Sequence, residues 1–253
     1  MTASIRSSAV NVDSSSKNQH FVAKPSGAQS GDTIYLFIAS DAAGDTQATD
    51  DTDFSELHST FVDVDVNGDA TSSAWYKAYA DDDADPYQIN TLRTERCSML
   101  SMAVEGDGGI DTQSSIGVGT GTTVTVPSIT TGEDNCLVVV VVWTNKATTP
   151  HSEISGYSLV NQAGVFSGGS ISVQYKAVTT AGTESGNTIT ISAAEEWACG
   201  VFSIAPSAGT TFAEAIELVL SAALTVAGDT TQFPAERTSF VGKENRTSFV
   251  GRE

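Results

Sequence analysis

The densest set of potential ligands in the chain is Asp63-x-Asp65-x-Asn67-Gly68-Asp69. It opens like an EF-hand calcium loop, with oxygen donors at alternate positions and a glycine where the chain must turn. The twelfth position of such a loop needs a bidentate carboxylate, and here it is Ala74. No helical pattern flanks the segment either. It reads instead as a polar β-hairpin turning at Asn67-Gly68, because this pair tolerates the positive φ of a type I′ turn. A second acidic run, Asp81-Asp82-Asp83-Ala84-Asp85 ahead of Pro86, reads as a solvated loop. No metal site is expected.

His20, His58 and His151 are solitary, with neither H-x-x-x-H spacing nor a Gly-x-Ser-x-Gly elbow beside them. A hydrolase triad has no fixed chain order, so these residues retain only the general capacity to assemble one in space. Glu195-Glu196 pairs two carboxylates, but neighbours on a strand face opposite sides and do not flank one glycosidic bond. Cys97, Cys136 and Cys199 form no C-x-x-C motif, so neither a zinc site nor a disulfide framework is indicated. Cys97 and Cys199 adjoin apolar segments and read as buried core thiols. Trp75, Trp143 and Trp197 are candidate sugar-stacking platforms, with core packing the competing and favoured reading. Gly117-Val-Gly119-Thr-Gly121 precedes a strand-like run instead of opening a helix, so it is read as a flexible linker or turn, not a dinucleotide fingerprint. No catalytic residues and no cofactor emerge.

The totals narrow the classes further. The chain has 12 basic and 31 acidic residues among 253, a net charge of −19. That balance excludes general nucleic-acid binding and adhesion to anionic membranes, both of which need clustered Lys and Arg. The 40% hydrophobic content is that of a globular chain. The segment Met1–Arg6 lacks the apolar stretch of a signal peptide. Leu137 to Trp143, the strongest apolar run, is too short for a membrane span and reads as a buried strand. Folding in a reducing cytoplasm is the expectation.

The elements that would carry these residues repeat. Pro25-Ser26 recurs as Pro127-Ser128, Asp32 as Asp134, Cys97 as Cys199 and Ser101 as Ser203, all at one offset (127 − 25 = 102). Tyr76-Lys77-Ala78 recurs as Tyr175-Lys176-Ala177 at an offset of 99 (175 − 76), which implies a compensated three-residue deletion. Ile171, Val173, Tyr175 and Ala177 alternate as a half-buried strand requires. Some half a dozen short strands per copy, with no convincing helix, predict an all-β fold: two tandem duplicated β-sandwich domains, jelly-roll or Ig-like, over 1–107 and 108–206.

Residues 207–253 differ in character. Phe212 to Ala227 is compatible with a strand or a helix, with a lean to strand. The segment Glu236–Glu244 is then echoed as Asn245–Glu253, a nine-residue repeat. It has too little apolar content to fold alone and reads as an extended arm that adds to a partner. The arm holds four basic and three acidic residues, so it is +1, whereas the remainder is 8 − 28 = −20. Arg237, Arg246 and Arg252 are suited to grip carboxylates. Phe240, Val241, Phe249 and Val250 are suited to fill apolar holes.

The arm resembles the Glu-Arg-Thr-x-x-Val and Glu-Asn-Arg-Thr-x-x-Val tails of small structural proteins of tailed bacteriophages. The segment from Pro25 through Gly31-Asp32-Thr33-Ile34-Tyr35-Leu36-Phe37, with the later Trp75-Tyr76-Lys77-Ala78, resembles β-sandwich virion proteins of the same phages. The resemblance implies a non-enzymatic protein that decorates or cements a capsid in many copies. Its implied partners are the major capsid protein or other virion proteins, in a homo-oligomer or multi-copy lattice, without nucleic acid or membrane. The implied location is the virion. A carbohydrate-binding or tail accessory adsorption module is the alternative.

Overall fold

In the computed structural model, residues 2–40, 47–62, 70–146, 149–164 and 168–208 are described. The ambiguous segment 212–227, the arm expected at 236–253 and the hairpin turn expected at 63–69 lie outside them. All regular structure among the described residues is β. The first half of the chain supplies β1 (Ser4–Val22), β2 (Thr33–Ser40), β3 (Gln47–Thr49), β4 (Ser55–Val62), β5 (Ala70–Ala78) and β6 (Tyr87–Glu105). The second supplies β7 (Asp107–Gln113), β8 (Gly117–Thr125), β9 (Ile129–Thr130), β10 (Cys136–Thr144), β11 (Ser158–Gly164), β12 (Ser170–Val178), β13 (Thr183–Glu184) and β14 (Thr188–Pro206).

These strands make two six-stranded antiparallel sheets with the same order. The first runs β1-β6-β2-β5-β4, with β3 also on β6; the second runs β7-β14-β10-β12-β11, with β8 also on β14. β9 and β13 form a separate two-stranded patch. The pairing register matches as well. Tyr35 lies opposite Met102, and Leu137 lies opposite Ile204, each residue 102 positions further on (137 − 35 and 204 − 102). One strand departs from this rule. Tyr76 faces Tyr35, but Tyr175 faces Val139, so the Tyr-Lys-Ala triplet has slid two residues along its neighbour. A slide of two is one full pleat, and every side chain keeps its face.

The central strands β2 and β10 are buried on both faces over nearly their whole lengths. That explains why Leu137–Trp143 is uniformly apolar and not alternating: there is no wet side to require polar residues. On the inner face the two sheets pack on each other. Tyr35, Phe37, Leu100, Met102 and Val104 of the first meet Leu137, Val139, Val141, Phe202 and Ile204 of the second. Phe202 stacks against both Tyr35 and Phe37, at centroid distances of 5.4 and 6.4 Å. Tyr35 also stacks on Tyr76 at 5.9 Å, and its hydroxyl donates to Asp107 at 2.7 Å. At the margins, Asn161 of β11 donates to Ser8 of β1, and Gln113 of β7 donates to the Leu57 carbonyl of β4. Each sheet thus reaches across to the other with equivalent strands. Met1–Ala208 form one compact unit.

The outer faces are covered by the sheets' own strands. β1, β6 and β14 are each 19 residues long, not short as the sequence suggested. Pairing slips between Asp13 and Lys17 on β1 and between Thr190 and Glu195 on β14. Such irregularities bend a strand and sharpen its twist. Beyond the slips, Val22, Tyr87 and Ile89 close over Ile34, Leu36 and Ile38. In the second half, Val124, Ile189 and Ile191 close over Val138, Val140 and Val142. The body therefore holds one inner core and two outer ones.

Because the inner core is shared, the two sheets should unfold together. Phe202→Ala should cost about 3–5 kcal/mol and lower the midpoint of a single urea transition. Two separated transitions, monitored by tryptophan fluorescence and far-UV circular dichroism, would show that the sheets fold independently.

Candidate functional site

The most chemically articulate cluster in the body is Asp13, His20 and Cys97. The slip in β1 places Asp13 and His20 on the same inward side although they are seven positions apart, and Asp13 and Cys97 lie opposite each other in the β1–β6 ladder. Nδ1 of His20 is 2.8 Å from an Asp13 carboxylate oxygen, and Nε2 is 3.4 Å from the Cys97 sulfur. Thr91 Oγ1 stands 3.2 Å from Nε2, but its hydroxyl donates to the Arg93 carbonyl at 2.7 Å. Burial lowers the His20 pKa against the opposing pull of Asp13, so the ring is neutral near pH 7. With Nδ1–H given to Asp13, Nε2 accepts from the Cys97 thiol.

Nucleophile, base and orienting carboxylate thus stand in the order that covalent catalysis uses. Access is missing. His20 and Cys97 are each 0% exposed, and no substrate carbon reaches the sulfur in this conformation. The cluster satisfies buried polar groups and ties the two limbs of bent β1 to β6. Lys17 completes it by an ion pair to Asp13 at 2.8 Å.

A second network surrounds Lys77 on the outer face of the first sheet. Its ammonium is buried, ion-paired to Asp51 and, at 2.5 Å, to Asp83. It also sits 5.0 Å from the Phe54 ring centroid and 5.9 Å from that of Tyr87. Asp83 further accepts from the Ala80 amide, and Asp85 accepts from the Lys24 amide at 3.1 Å. The acidic run is therefore partly structural: Asp83 and Asp85 anchor the loop, while Asp81 and Asp82 are exposed. Next to this network lies an open cleft of about 220 Å³ between the end of β1, the start of β6 and the turn after β3. In the second half the corresponding lysine, Lys176, pairs with Glu184 at 2.8 Å and sits over Tyr157.

The remaining sequence candidates fall as follows. Trp75, Trp143 and Trp197 are buried, one in each core, and offer no stacking platform. The glycine run is not a linker but strand β8. Gly119 lies directly opposite Trp197, and a Cβ there would come within 2.5 Å of the indole ring. Glu195 turns to Lys146 at 3.0 Å, while Glu196 is buried. Cys136 and Cys199 are buried with raised pKa values, Cys136 to about 11 chiefly through burial and then Asp111, so both remain thiols. Among the described residues no group of three or more His, Cys, Asp or Glu is gathered as a metal would need. Arg237, Phe240, Val241, Arg246, Phe249, Val250 and Arg252 lie outside the described residues. Comparison of the chain with family models, with curated proteins and with solved structures yields no match.

The buried histidines make stability depend on pH. His151 lies between Ser172 and Ser170, at 2.7 and 3.0 Å, and burial pushes its pKa down to about 4. His58 is lowered by burial too. Between about pH 6.5 and 4 the unfolded chain binds protons that the fold refuses, so this stability is full above pH 6.5 and falls with acidification. The share of His151 is about 3 kcal/mol. Urea midpoints of wild type and His151→Gln should converge as pH falls from 7 to 4.5; parallel profiles would count against a neutral buried ring. Separately, Gly119→Val should destabilise by about 1–3 kcal/mol, and by clearly less in a Trp197→Leu background, as a double-mutant cycle reads.

Proposed function

We propose that this protein is a non-enzymatic structural component of a tailed-phage virion, built from two tandem copies of one β-sandwich domain. It decorates or cements the capsid, and the C-terminal arm is the anchor. The observation that carries this reading is the division of charge and pattern along the chain. Residues 1–235 carry −20 and are followed by an arm of +1 that holds Arg-Thr-Ser-Phe-Val-Gly twice. Two equal motifs on one arm suit a lattice that offers equal sites in series, where weak contacts sum by multivalency. Arginine provides bidentate contacts to carboxylates, and Phe-Val provides apolar burial. The body's one inner core and two outer ones support the same reading, because a cement must withstand load without local opening. The buried position of all three tryptophans removes the main support for the carbohydrate-binding alternative.

Full-length protein and a version ending at Ala235 should be added to particles that lack this protein. Full-length chain should bind the shell and raise its thermal or osmotic resistance, and the shortened chain should not. Equal binding by both would place attachment in the sandwich pair, and binding by neither would remove the capsid from the account.

A further inference from the structure

The cleft beside the Lys77 network has the chemistry of a receptor for a planar cation. Phe21 lies opposite Gln88 across the β1–β6 pair, and on the other side of β6 the Asp50 amide donates to the Gln88 carbonyl at 3.1 Å. Phe21, Gln88 and Asp50 are thus neighbours in a row, and Phe54, Tyr87, Asp51, Ala84 and Pro86 complete the lining. Side-chain hydrogen bonds run one way along this wall. Gln88 Nε2 donates to Asn90 Oδ1 at 2.8 Å, and Asn90 Nδ2 donates to the Asp50 carboxylate at 3.3 Å. One hydrogen of each amide is spent inside the chain, and the chain ends on an exposed carboxylate that retains acceptor capacity. Asp51 adds a second carboxylate at the rim, already holding Lys77 and the Asp53 amide.

Beside Ala84 and Pro86, the apolar part of the lining is aromatic. Phe54 and Tyr87 already lie within 6 Å of one ammonium, that of Lys77, and Lys17 approaches Phe21 at 5.9 Å. Aromatic faces beside carboxylates attract cations and disfavour anions. A guanidinium fits such a wall better than an ammonium, because it is flat, stacks on rings and engages a carboxylate through two parallel N–H donors. A volume near 220 Å³ takes one side chain, being smaller than the roughly 300 Å³ at which small-molecule pockets begin.

We infer that this cleft receives an arginine of the C-terminal arm of a second copy of the chain, so that neighbouring copies are linked arm to body. The arm carries Arg237, Arg246 and Arg252, and its +1 against the 8 − 25 = −17 of residues 1–208 gives the pair complementary charge. This deepens the proposed role of the arm as an attachment device: one of its neighbours in the lattice is this same protein.

The test uses the full-length protein carrying Arg237→Ala, Arg246→Ala and Arg252→Ala as receiver, so that its own arm does not compete. The probe is the peptide of residues 245–253, followed by amide NMR shifts and titration calorimetry at low salt. Shifts should centre on Phe21, Asp50 and Gln88. Asp50→Asn should weaken binding about tenfold, and so should replacing both peptide arginines by lysine. Asp50→Lys should abolish it with an unchanged urea midpoint. Shifts elsewhere on the body, or full affinity in Asp50→Lys, would overturn the inference. Failure here is separable from failure of the capsid reading. If the peptide misses the cleft while particle binding still requires the arm, only arm-to-body linkage falls. If the peptide fills the cleft while the chain ending at Ala235 still binds particles, the arm serves self-association alone.

Discussion

The architecture depends on the double burial of β2 and β10. A strand that is apolar on both faces is not satisfied by one covering layer, so each sheet needs two. The inner layer is the other sheet, with Phe202 set against Tyr35 and Phe37. The outer layer is made by the sheet's own long strands, which slip register, bend and return over the opposite face. Separating the sheets would expose Tyr35, Phe37, Leu100, Met102 and Val104 on one side alone. At about 1.5–3 kcal/mol per large apolar side chain, that loss is on the order of 10 kcal/mol, comparable with the whole stability of an ordinary domain. The two halves are therefore bound into one body by the requirement that forms each sheet.

Much of this arrangement was legible in the sequence, because the residues involved are constrained by their neighbours in a regular way. The offset of 102 between Asp32 and Asp134 or Cys97 and Cys199 survives because β2 with β6, and β10 with β14, share one register. Leu137–Trp143 was readable as a buried strand from its composition alone, since nine consecutive buried positions admit few polar residues. The bends were not legible. Ser14-Ser15-Ser16 in β1 contains no proline or glycine to announce a slip, and Ser192-Ala193-Ala194 in β14 is equally bland. The glycine run misled for a related reason. Gly117, Gly119 and Gly121 read as flexible in isolation, and what fixes them is an indole that enters the chain 78 positions after Gly119 (197 − 119).

The polar clusters were hidden by the same distances. Asp13 and His20 are near in sequence, but the spacing of seven is uninformative until the slip is known. Cys97 arrives from 77 positions beyond His20. Lys77 lies between Tyr76 and Ala78 and so points to the opposite face of the sheet. Here that face is roofed, so its ammonium requires Asp51, Asp83 and two aromatic rings as substitutes for water.

A consequence concerns where the two halves are free to differ. The inner face is shared, so a change of volume on one sheet must be met on the other, and the two keep similar apolar layers. Each outer face answers only to its own strands. Positions 102 apart accordingly diverge there: His20 corresponds to Thr122, and Glu95 to Trp197. The first half covers its outer face with ion pairs and aromatic rings and leaves a cleft between them. The second lays the Trp197 indole over Gly119 and sets Lys176 between Glu184 and Tyr157. Recognition chemistry belongs on faces that packing leaves least constrained, and the turn where Asp50 meets Gln88 lies on one of them, the outer face of the first sheet.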